Sequence, residues 1–115
     1  MNKSRWKLEN AFAFSIADGF PVSEGHTLII PKRAVISLFE LNDDEFLGCW
    51  DLVRREKQAL ESTLQPDGFN VGVNDGEFAG QTIFHAHIHL IPRFRGDHPN
   101  PRGGVRGIFP TKADY

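Results

Sequence analysis

The sequence contains very little cysteine and no long apolar run. Cys49 is the single cysteine among 115 residues, which excludes an intramolecular disulfide and a cysteine-rich zinc site and is typical of a reducing compartment. No apolar stretch approaches the roughly 20 residues that a membrane-spanning helix needs. The amino terminus, MNKSRWKLEN, is too polar for a secretory signal. We therefore expect a cytoplasmic protein with no membrane partner.

The sequence also lacks an excess of positive charge. Thirteen Lys and Arg residues against 15 Asp and Glu residues give a formal net charge of −2, whereas a protein whose main partner is nucleic acid presents a broad positive surface. We therefore expect no nucleic-acid partner. A chain of 115 residues with 40% hydrophobic content is long enough for one packed core and too short for two. A single domain is predicted over residues 1–115.

Alternating apolar residues predict β-strands at three places. The segment AFAFSIADGFPVSEG (11–25) alternates before its Gly and Pro breaks, and HTLIIPKR (26–33) is a short apolar run that follows it, so the two predict a β-hairpin. FNVGVND (69–75) carries large apolar residues on one face and small or polar residues on the other. The small face leaves room for a ligand to lie on the sheet.

The middle of the sequence has the spacing of an amphipathic helix. Apolar residues recur at three- and four-residue intervals, with Lys57 as the polar interruption. These positions are Phe46, Trp50, Val53, Leu60 and Leu64. Asn42 or Asp43 can cap the start, and Pro66 and Gly68 cannot continue the helix. The pattern predicts a helix over residues 43–64 and, together with the strands, an α+β fold.

Three of the five histidines stand at alternate positions in HAHIHLIP. A strand here would put His85, His87 and His89 on one face, roughly 6.5 to 7 Å apart, and small or apolar residues on the other. The segment that follows, residues 93–115, contains charged residues and repeated Gly and Pro breaks. It predicts an extended carboxyl-terminal arm without helix.

The histidine row has three chemical interpretations. A solvated polar face would not select histidine three times in succession. Metal binding suits imidazole, but three ligands along one straight strand lie too far apart to close on an ion with bonds near 2.1 Å. Nucleophilic catalysis fits better, because a neutral His87 can attack phosphorus while its neighbours orient it and assist the leaving oxygen. That chemistry needs the second ring nitrogen of His87 to be held by a hydrogen bond, for which backbone carbonyls are available.

The motif HAHIHLI resembles that of the histidine triad (HIT) superfamily. GHTLIIPK, which contains His26, and NDGEFAGQTIFH resemble the two upstream segments of that family in order and spacing, and LIPRFRGD is similar to the fragile-histidine-triad and bacterial dinucleoside polyphosphate hydrolase branches. Galactose-1-phosphate uridylyltransferase relatives have Gln where this chain has His89, so the resemblance favours hydrolysis over transfer. It implies a mainly antiparallel sheet of about five strands, one main helix with or without a shorter one, and a homodimer.

The resemblance also implies a role for each histidine. His87 would be the nucleophile that forms a nucleotidyl-imidazole intermediate, His89 would lie near the bridging oxygen, and His85 would support the network. His26 resembles the fourth, upstream histidine of the family. Asp18, eight residues before His26, resembles the residue that binds the ribose hydroxyls; a turn residue beside a glycine is the alternative interpretation.

Further substrate contacts follow from the resemblance. The polar loop that approaches the phosphates is matched by Asn74, Gly80, Gln81 and Thr82, although Asn74 alone could be a turn residue at a strand end. Phe14 and Ile16 are candidates for contact with the base, with core packing as the alternative. Trp50 and the helix around it could form the dimer interface, or Trp50 could lie in the core.

The implied function is hydrolysis or nucleotidyl transfer at the α-phosphate of a nucleotide. Candidate substrates are a dinucleoside polyphosphate such as diadenosine tetraphosphate, a nucleoside phosphoramidate and an acyl nucleotide. A dinucleoside polyphosphate phosphorylase and a non-catalytic nucleotide-binding module are the alternatives. No metal site and no required cofactor are expected, because the sequence has no acidic cluster that demands a metal. A divalent cation such as Mg²⁺ could still neutralise a polyphosphate chain.

Overall fold

In the computed structural model, which describes residues 2–115, five strands form one antiparallel sheet and one α-helix packs against one of its faces. The strands are β1 (Trp6–Glu9), β2 (Ala13–Ala17), β3 (Thr27–Pro31), β4 (Gly68–Gly72) and β5 (Ile88–Arg93), and the helix α1 spans Asp43–Leu64. Their order across the sheet is β1-β2-β3-β5-β4, and each neighbouring pair is antiparallel. The predicted α+β class and the hairpin β2–β3 are confirmed.

Helix α1 has the predicted bounds because both of its ends are defined by local chemistry. Asn42 and Glu45 form a capping box in which the Glu45 N–H donates to Asn42 Oδ1 at 2.9 Å and the Asn42 N–H donates to Glu45 Oε1 at 3.0 Å. Gln65 ends the helix in the left-handed conformation, with φ of 49°. The buried face consists of Cys49, Leu52, Val53, Glu56 and Leu60. Trp50 is 37% exposed, which excludes the core interpretation of this residue.

Strand β1 was not predicted. It has four residues, of which two are charged, and a bulge interrupts its pairing with β2 between Trp6 and Glu9, so its sequence has no clear alternation. A polar network on the helix side of the sheet holds it in place: Glu56, 2% exposed, accepts from Ser15 Oγ at 2.5 Å and pairs with Lys7 Nζ at 3.1 Å. Lys7 Nζ also donates to Thr27 Oγ1 at 2.9 Å.

The prediction of one strand through all three histidines was wrong, because the observed strand is shorter and includes only His89. Strand β5 begins at Ile88, and His85 and His87 lie in the irregular segment before it. The register Ile29↔Ile88 would put Ala86 opposite Pro31, which has no N–H to continue the ladder. The Ala86 N–H donates instead to the Val35 carbonyl at 2.8 Å, so the chain bends away from β3.

The two faces of the sheet differ. The face toward α1 carries the main core, which includes Ile29, Leu52, Ile88 and Leu90. On the opposite face, a smaller apolar cluster is formed by Phe14, Ile16 and Ile30, with Trp6 and Leu28 packed against it. This second face is open and forms the floor of a cleft.

The carboxyl-terminal arm differs from its prediction. It contains two short 3-10 helices, Gly104–Ile108 and Pro110–Lys112, so the expectation of no helix was wrong. Residue 93 belongs to β5, and Arg93 forms a bidentate pair with Asp97 at 2.8 Å for both contacts. The repeated Gly and Pro residues prevent a long α-helix. They do not prevent 3-10 helices, which are only three to five residues long here. Within residues 2–115, no helix is long and apolar enough to cross a membrane.

Candidate active site

The open face of the sheet carries a cleft of about 750 Å³. Its floor contains Phe14, Ile16, Leu28 and Ile30, and the side chains of His85 and His87 line it as well. Phe14 and Ile16 are 5% and 3% exposed. Both residues pack in an apolar cluster and also line the cleft, so core packing is confirmed and contact with a ligand stays a prediction.

The tautomer of His87 is defined by a backbone carbonyl. Its Nδ1 lies 2.9 Å from the carbonyl oxygen of His85, which can only accept, so Nδ1 carries the proton and Nε2 carries the free electron pair. His85 is itself held by its Nε2–H, which donates to the Pro31 carbonyl at 2.8 Å. The irregular backbone before β5 thus fixes both rings at the edge of the cleft.

His26 and His89 form a second, deeper pair. His26 Nε2 lies 2.9 Å from His89 Nδ1, and His26 Nδ1 accepts the backbone N–H of Val22 at 3.2 Å. Because Nδ1 of His26 accepts, its Nε2 carries the proton and donates to His89. In its neutral form His89 then carries its own proton on Nε2. The rings of His87 and His89 are in edge contact, with centroids 5.1 Å apart.

Burial keeps the deeper pair neutral. Removal from water lowers the pKa of His26, which is 4% exposed, although the charge of Asp18 acts in the opposite direction. Burial also lowers the pKa of His89, with further lowering from His87 and His26. Both rings are therefore neutral at pH 7, since the ordinary histidine pKa is already about 6.5.

Asp18 lies beside this pair at the turn after β2. Its Oδ1 accepts the backbone N–H of Phe20 at 2.8 Å, which is the turn contact expected of an Asp before Gly19. Its Oδ2 is 3.3 Å from His26 Nε2, and the residue also lines the cleft. The turn interpretation of Asp18 is confirmed by one oxygen, and ribose binding by the other oxygen stays a prediction.

Three side chains of the site could in principle hold a cation. Ligand atoms of Asp18, His26 and His89 all lie within 4.8 Å of one another. A metal on His26 would require an electron pair at Nε2, whereas the Val22 N–H at Nδ1 requires the proton to be at Nε2. The hydrogen bonds around His26 therefore oppose metal binding at this cluster.

The loop before the histidines is arranged differently from its prediction. Gln81, 3% exposed, uses its whole side-chain amide internally: Oε1 accepts the Gly76 N–H at 2.9 Å, and Nε2 donates to the carbonyls of Ile36 and Ile83 at 2.9 and 3.1 Å. No amide hydrogen of this side chain is free for a phosphate, so the predicted direct contact by Gln81 is not supported. Gln81 instead braces the loop that leads into His85.

The other predicted loop residues are exposed and lie outside the lining of the cleft. They are Asn74, Gly80 and Thr82. Gly80 has φ of 98°, a conformation that favours glycine, and a Cβ built on it would lie 3.9 Å from Asn74 Cγ. The structure thus brings Asn74 and Gly80 together, but neither lines the cleft.

Sequence reasoning missed one side of the cleft. Trp6 stacks on Phe14 with ring centroids 4.1 Å apart and an angle of 9° between the planes, and Lys3, Arg5 and Lys32 also line the cleft. Their spacing follows no recognisable motif. The one signal in the sequence is Trp6, which lies between Arg5 and Lys7. It indicates a binding surface only when β1 is known to pair with β2.

Comparison with known proteins gives consistent matches. The sequence matches the HIT domain family over residues 2–96. It is 44% identical over 87 residues to an uncharacterized 16.1 kDa HIT-like protein of Mycoplasma pneumoniae, covering 75% of this chain and 60% of that protein. It is 40% identical over 77 residues to the asymmetrical bis(5'-nucleosyl)-tetraphosphatase of Schizosaccharomyces pombe, covering 67% of this chain and 42% of that protein.

The fold has the same relatives. The crystal structure of a HIT family protein from Bacillus anthracis superimposes with a TM-score of 0.76 at 36% identity, covering 80% of this chain and 65% of that one. This chain therefore spans less than two thirds of the length of each of these three relatives. The matched segment contains the cleft, all four histidines of the site and all five strands. The resemblance inferred from the histidine motif is confirmed, and the chain belongs to the HIT domain family.

Proposed function

We propose that the protein hydrolyses nucleotides at the α-phosphate through a covalent nucleotidyl intermediate on His87. The observation that carries this proposal is the hydrogen bond from His87 Nδ1–H to the His85 carbonyl, 2.9 Å long. It leaves the Nε2 electron pair free at a cleft with an apolar floor. An imidazole in this tautomer can attack phosphorus without first losing a proton.

The proposed first step forms one bond and breaks one. His87 Nε2 attacks the α-phosphorus, and the bond from phosphorus to the bridging oxygen breaks as that oxygen leaves with the electron pair. His89, whose Nε2 carries a proton in the neutral tautomer fixed by His26, donates that proton to the departing oxygen. Water then attacks phosphorus, the phosphorus–nitrogen bond breaks, and His89 Nε2 takes a proton from the water.

The substrate proposal is a nucleotide with a leaving group on its α-phosphate. A dinucleoside polyphosphate such as diadenosine tetraphosphate and a nucleoside phosphoramidate both meet this description. Similarity to a protein named asymmetrical bis(5'-nucleosyl)-tetraphosphatase supports the first. The apolar residues Phe14 and Ile16 would contact the base, and Asp18 Oδ2 would accept a hydrogen bond from the ribose.

The loop before His85 has a narrower role in this proposal than the family resemblance implied. Asn74 and Thr82 are exposed and free to contact a polyphosphate chain that extends beyond the cleft. The backbone at Gly80, with no side chain, would let such a chain approach closely. No cofactor is required by the proposed steps, and Mg²⁺ would act only by neutralising a polyphosphate.

Product analysis tests this function directly. The purified protein is incubated with diadenosine tetraphosphate, adenosine 5′-phosphoramidate and a nucleotidyl-sugar, each with and without inorganic phosphate. Release of AMP without phosphate supports hydrolysis. A product that forms only with phosphate and retains it would identify the alternative, a phosphorylase. Nucleotide binding without turnover of any compound would identify a non-catalytic binding module.

We also propose a homodimer that uses the outer side of α1. Trp50 and Leu47 are 37% and 64% exposed on this helix, and Phe46 packs against Trp50 with ring centroids 6.5 Å apart. Apolar side chains exposed together are typical of protein–protein interfaces. Light scattering on a sizing column measures the mass, and a monomer at 13.0 kDa would contradict the dimer.

A further inference from the structure

Two cations, Lys3 and Arg5, line the cleft along its β1 side, and the charge of Lys3 acts on Glu9 only at longer range than an ion pair. Lys3 and Arg5 both belong to the lining, and within residues 2–115 neither takes part in an ion pair. Lys32, the third cation of the lining, is paired with Glu9 at 2.7 Å. Lys3 and Arg5 are thus the cations of the cleft whose charge is available to a ligand.

The cleft differs in charge from the chain as a whole. Its described lining residues include three cations and one carboxylate, Asp18, whereas the chain has a net charge of −2. A concave site with an excess of one sign attracts a ligand of the opposite sign. The ligand of this cleft is therefore expected to be an anion with negative charge near β1.

Local structure fixes the positions of both cations. Residues Lys3–Arg5 form a 3-10 turn, capped by Asn2, whose Oδ1 accepts the Ser4 N–H at 3.0 Å. The Lys3 ammonium lies 5.2 Å from the centroid of the Trp6 ring, within the range of a cation–π contact. Arg5 Nη2 donates to the Ala17 carbonyl in a long hydrogen bond of 3.4 Å.

The anion that meets these cations differs from the α-phosphate. His89 in β5 and Trp6 in β1 are separated by the strands β3 and β2, which is three strand spacings of about 4.8 Å each, or about 14 Å. This is a separation of backbones, and it places the cations at the opposite side of the sheet from β5, where they suit a second group of the ligand. The guanidinium of Arg5 contacts Ala17, which directly precedes Asp18, the proposed ribose ligand. The Arg5 guanidinium therefore lies next to the expected ribose, and Lys3 lines the same cleft from the other end of the 3-10 turn.

We propose that Lys3 and Arg5 bind a phosphate group on the 2′ or 3′ oxygen of the ribose. The substrate class would then be nucleotides that carry a phosphate on the ribose in addition to the reacting α-phosphate. This inference rests on the proposed function, because Asp18 must hold the ribose for the geometry to apply. Arg5 uses one of its five N–H donors on Ala17, and the remaining donors match the oxygens of a phosphate.

The test compares three nucleotides that the enzyme cannot hydrolyse. Titration calorimetry measures the dissociation constants of AMP, adenosine 2′,5′-bisphosphate and adenosine 3′,5′-bisphosphate with the wild-type protein. One bisphosphate is expected to bind about tenfold more tightly than AMP, since each exposed charge pair contributes about 1.5- to 5-fold. The difference should shrink as ionic strength rises.

Three variants test whether Lys3 and Arg5 cause the tighter binding of the bisphosphate. Arg5→Ala and Lys3→Ala should each reduce the ratio of the AMP and bisphosphate dissociation constants, and the double variant should bring it close to one. Arg55→Ala is the matched control: this residue is exposed on α1, which packs on the other face of the sheet, and its ratio should equal that of wild type. All three positions are exposed, so folding should be unaffected, which circular dichroism checks.

The outcomes separate this inference from the proposed function. Equal binding of AMP and both bisphosphates by the wild type would overturn the inference and leave the proposed function standing. A preference for a bisphosphate that persists in the double variant would overturn it as well, because the phosphate would then bind elsewhere. No binding of any of the three nucleotides would overturn both.

Discussion

His26 Nε2 donates to His89 Nδ1 at 2.9 Å, and this contact fixes the position of the proton on His89. The direction of donation follows from the Val22 N–H, which occupies Nδ1 of His26 at 3.2 Å. A backbone amide in the turn before β3 thus determines, through His26, which ring nitrogen of His89 carries the proton. In the proposed mechanism, His26 would be a positioning residue.

The buried histidines should make the protein less stable in mild acid. Their pKa values in the fold are lowered, so between about pH 6.5 and the lower folded values the unfolded chain binds more protons. The free energy of unfolding is therefore at its full value above about pH 6.5 and falls as the pH decreases below it. Urea denaturation at pH 7.5 and pH 5.5 measures this difference.

The variant His26→Gln provides the comparison. It removes one of the two titrating groups, so the loss of unfolding free energy between pH 7.5 and pH 5.5 should be smaller than in wild type. Carboxylates whose folded pKa is lowered, such as Asp97 beside Arg93 and Glu45 beside Arg33, lose their contribution to stability only below their unfolded pKa of about 4, which lies beneath this window. An unchanged loss in His26→Gln would contradict the assignment of the acid sensitivity to this residue.

The His89→Ala variant should lose more of its kcat with substrates whose leaving group departs less readily. A group that donates a proton matters most when the departing oxygen is a strong base, and it matters little when that oxygen leaves readily. We expect a loss of about 10²- to 10⁴-fold in kcat with a poor leaving group such as an alkyl alcohol. With a nitrophenyl ester of AMP the loss should be much smaller. A loss that is the same for both esters would argue against proton donation by His89.

The Asp18→Ala variant should discriminate against ribose hydroxyls. If Asp18 Oδ2 accepts from the ribose, the variant should bind AMP about 10- to 100-fold more weakly, the value of one hydrogen bond to a charged group. Binding of 2′,3′-dideoxyadenosine monophosphate should change much less, because it has no hydroxyl to lose. Titration calorimetry with both ligands measures this, and equal losses would show that Asp18 does not contact the ribose.

The Glu56→Ala variant should destabilise the edge of the sheet that carries Trp6. Glu56 is 2% exposed and contacts Lys7 and Ser15, so its removal leaves both without their buried acceptor. Breaking a fully buried pair costs about 3–5 kcal/mol, and the cost here should be nearer 2–3 kcal/mol because the Lys7 side chain is 33% exposed. Chemical denaturation measures the change. Glu56→Gln, which retains the bond to Ser15, should lose less.

The sequence predicted the elements whose signals are local. Helix α1 has the expected bounds of 43–64 because its capping box and its left-handed end are encoded by neighbouring residues. The hairpin β2–β3 follows from alternation and a turn in the same way. The histidine motif led to the family because it is contiguous in the chain.

What the sequence could not predict depends on contacts between distant residues. Strand β1 is held by the burial of Glu56 on α1, and β5 starts late because Ala86 pairs with Val35. The internal role of Gln81 requires carbonyls from residues 36 and 83, which no local pattern reveals. The cations of the cleft were missed for the same reason, since they acquire meaning only beside β2.

The covalent role of His87 is the central claim, and a quenched-flow experiment with radiolabelled diadenosine tetraphosphate tests it most directly. Wild-type protein should carry an acid-labile label that forms and decays during turnover. His87→Ala should carry none and should lose hydrolysis, while still binding AMP measurably, because a nucleophile contributes to the transition state far more than to ground-state binding. A His87→Ala protein that hydrolyses the substrate at the wild-type rate would contradict the covalent mechanism.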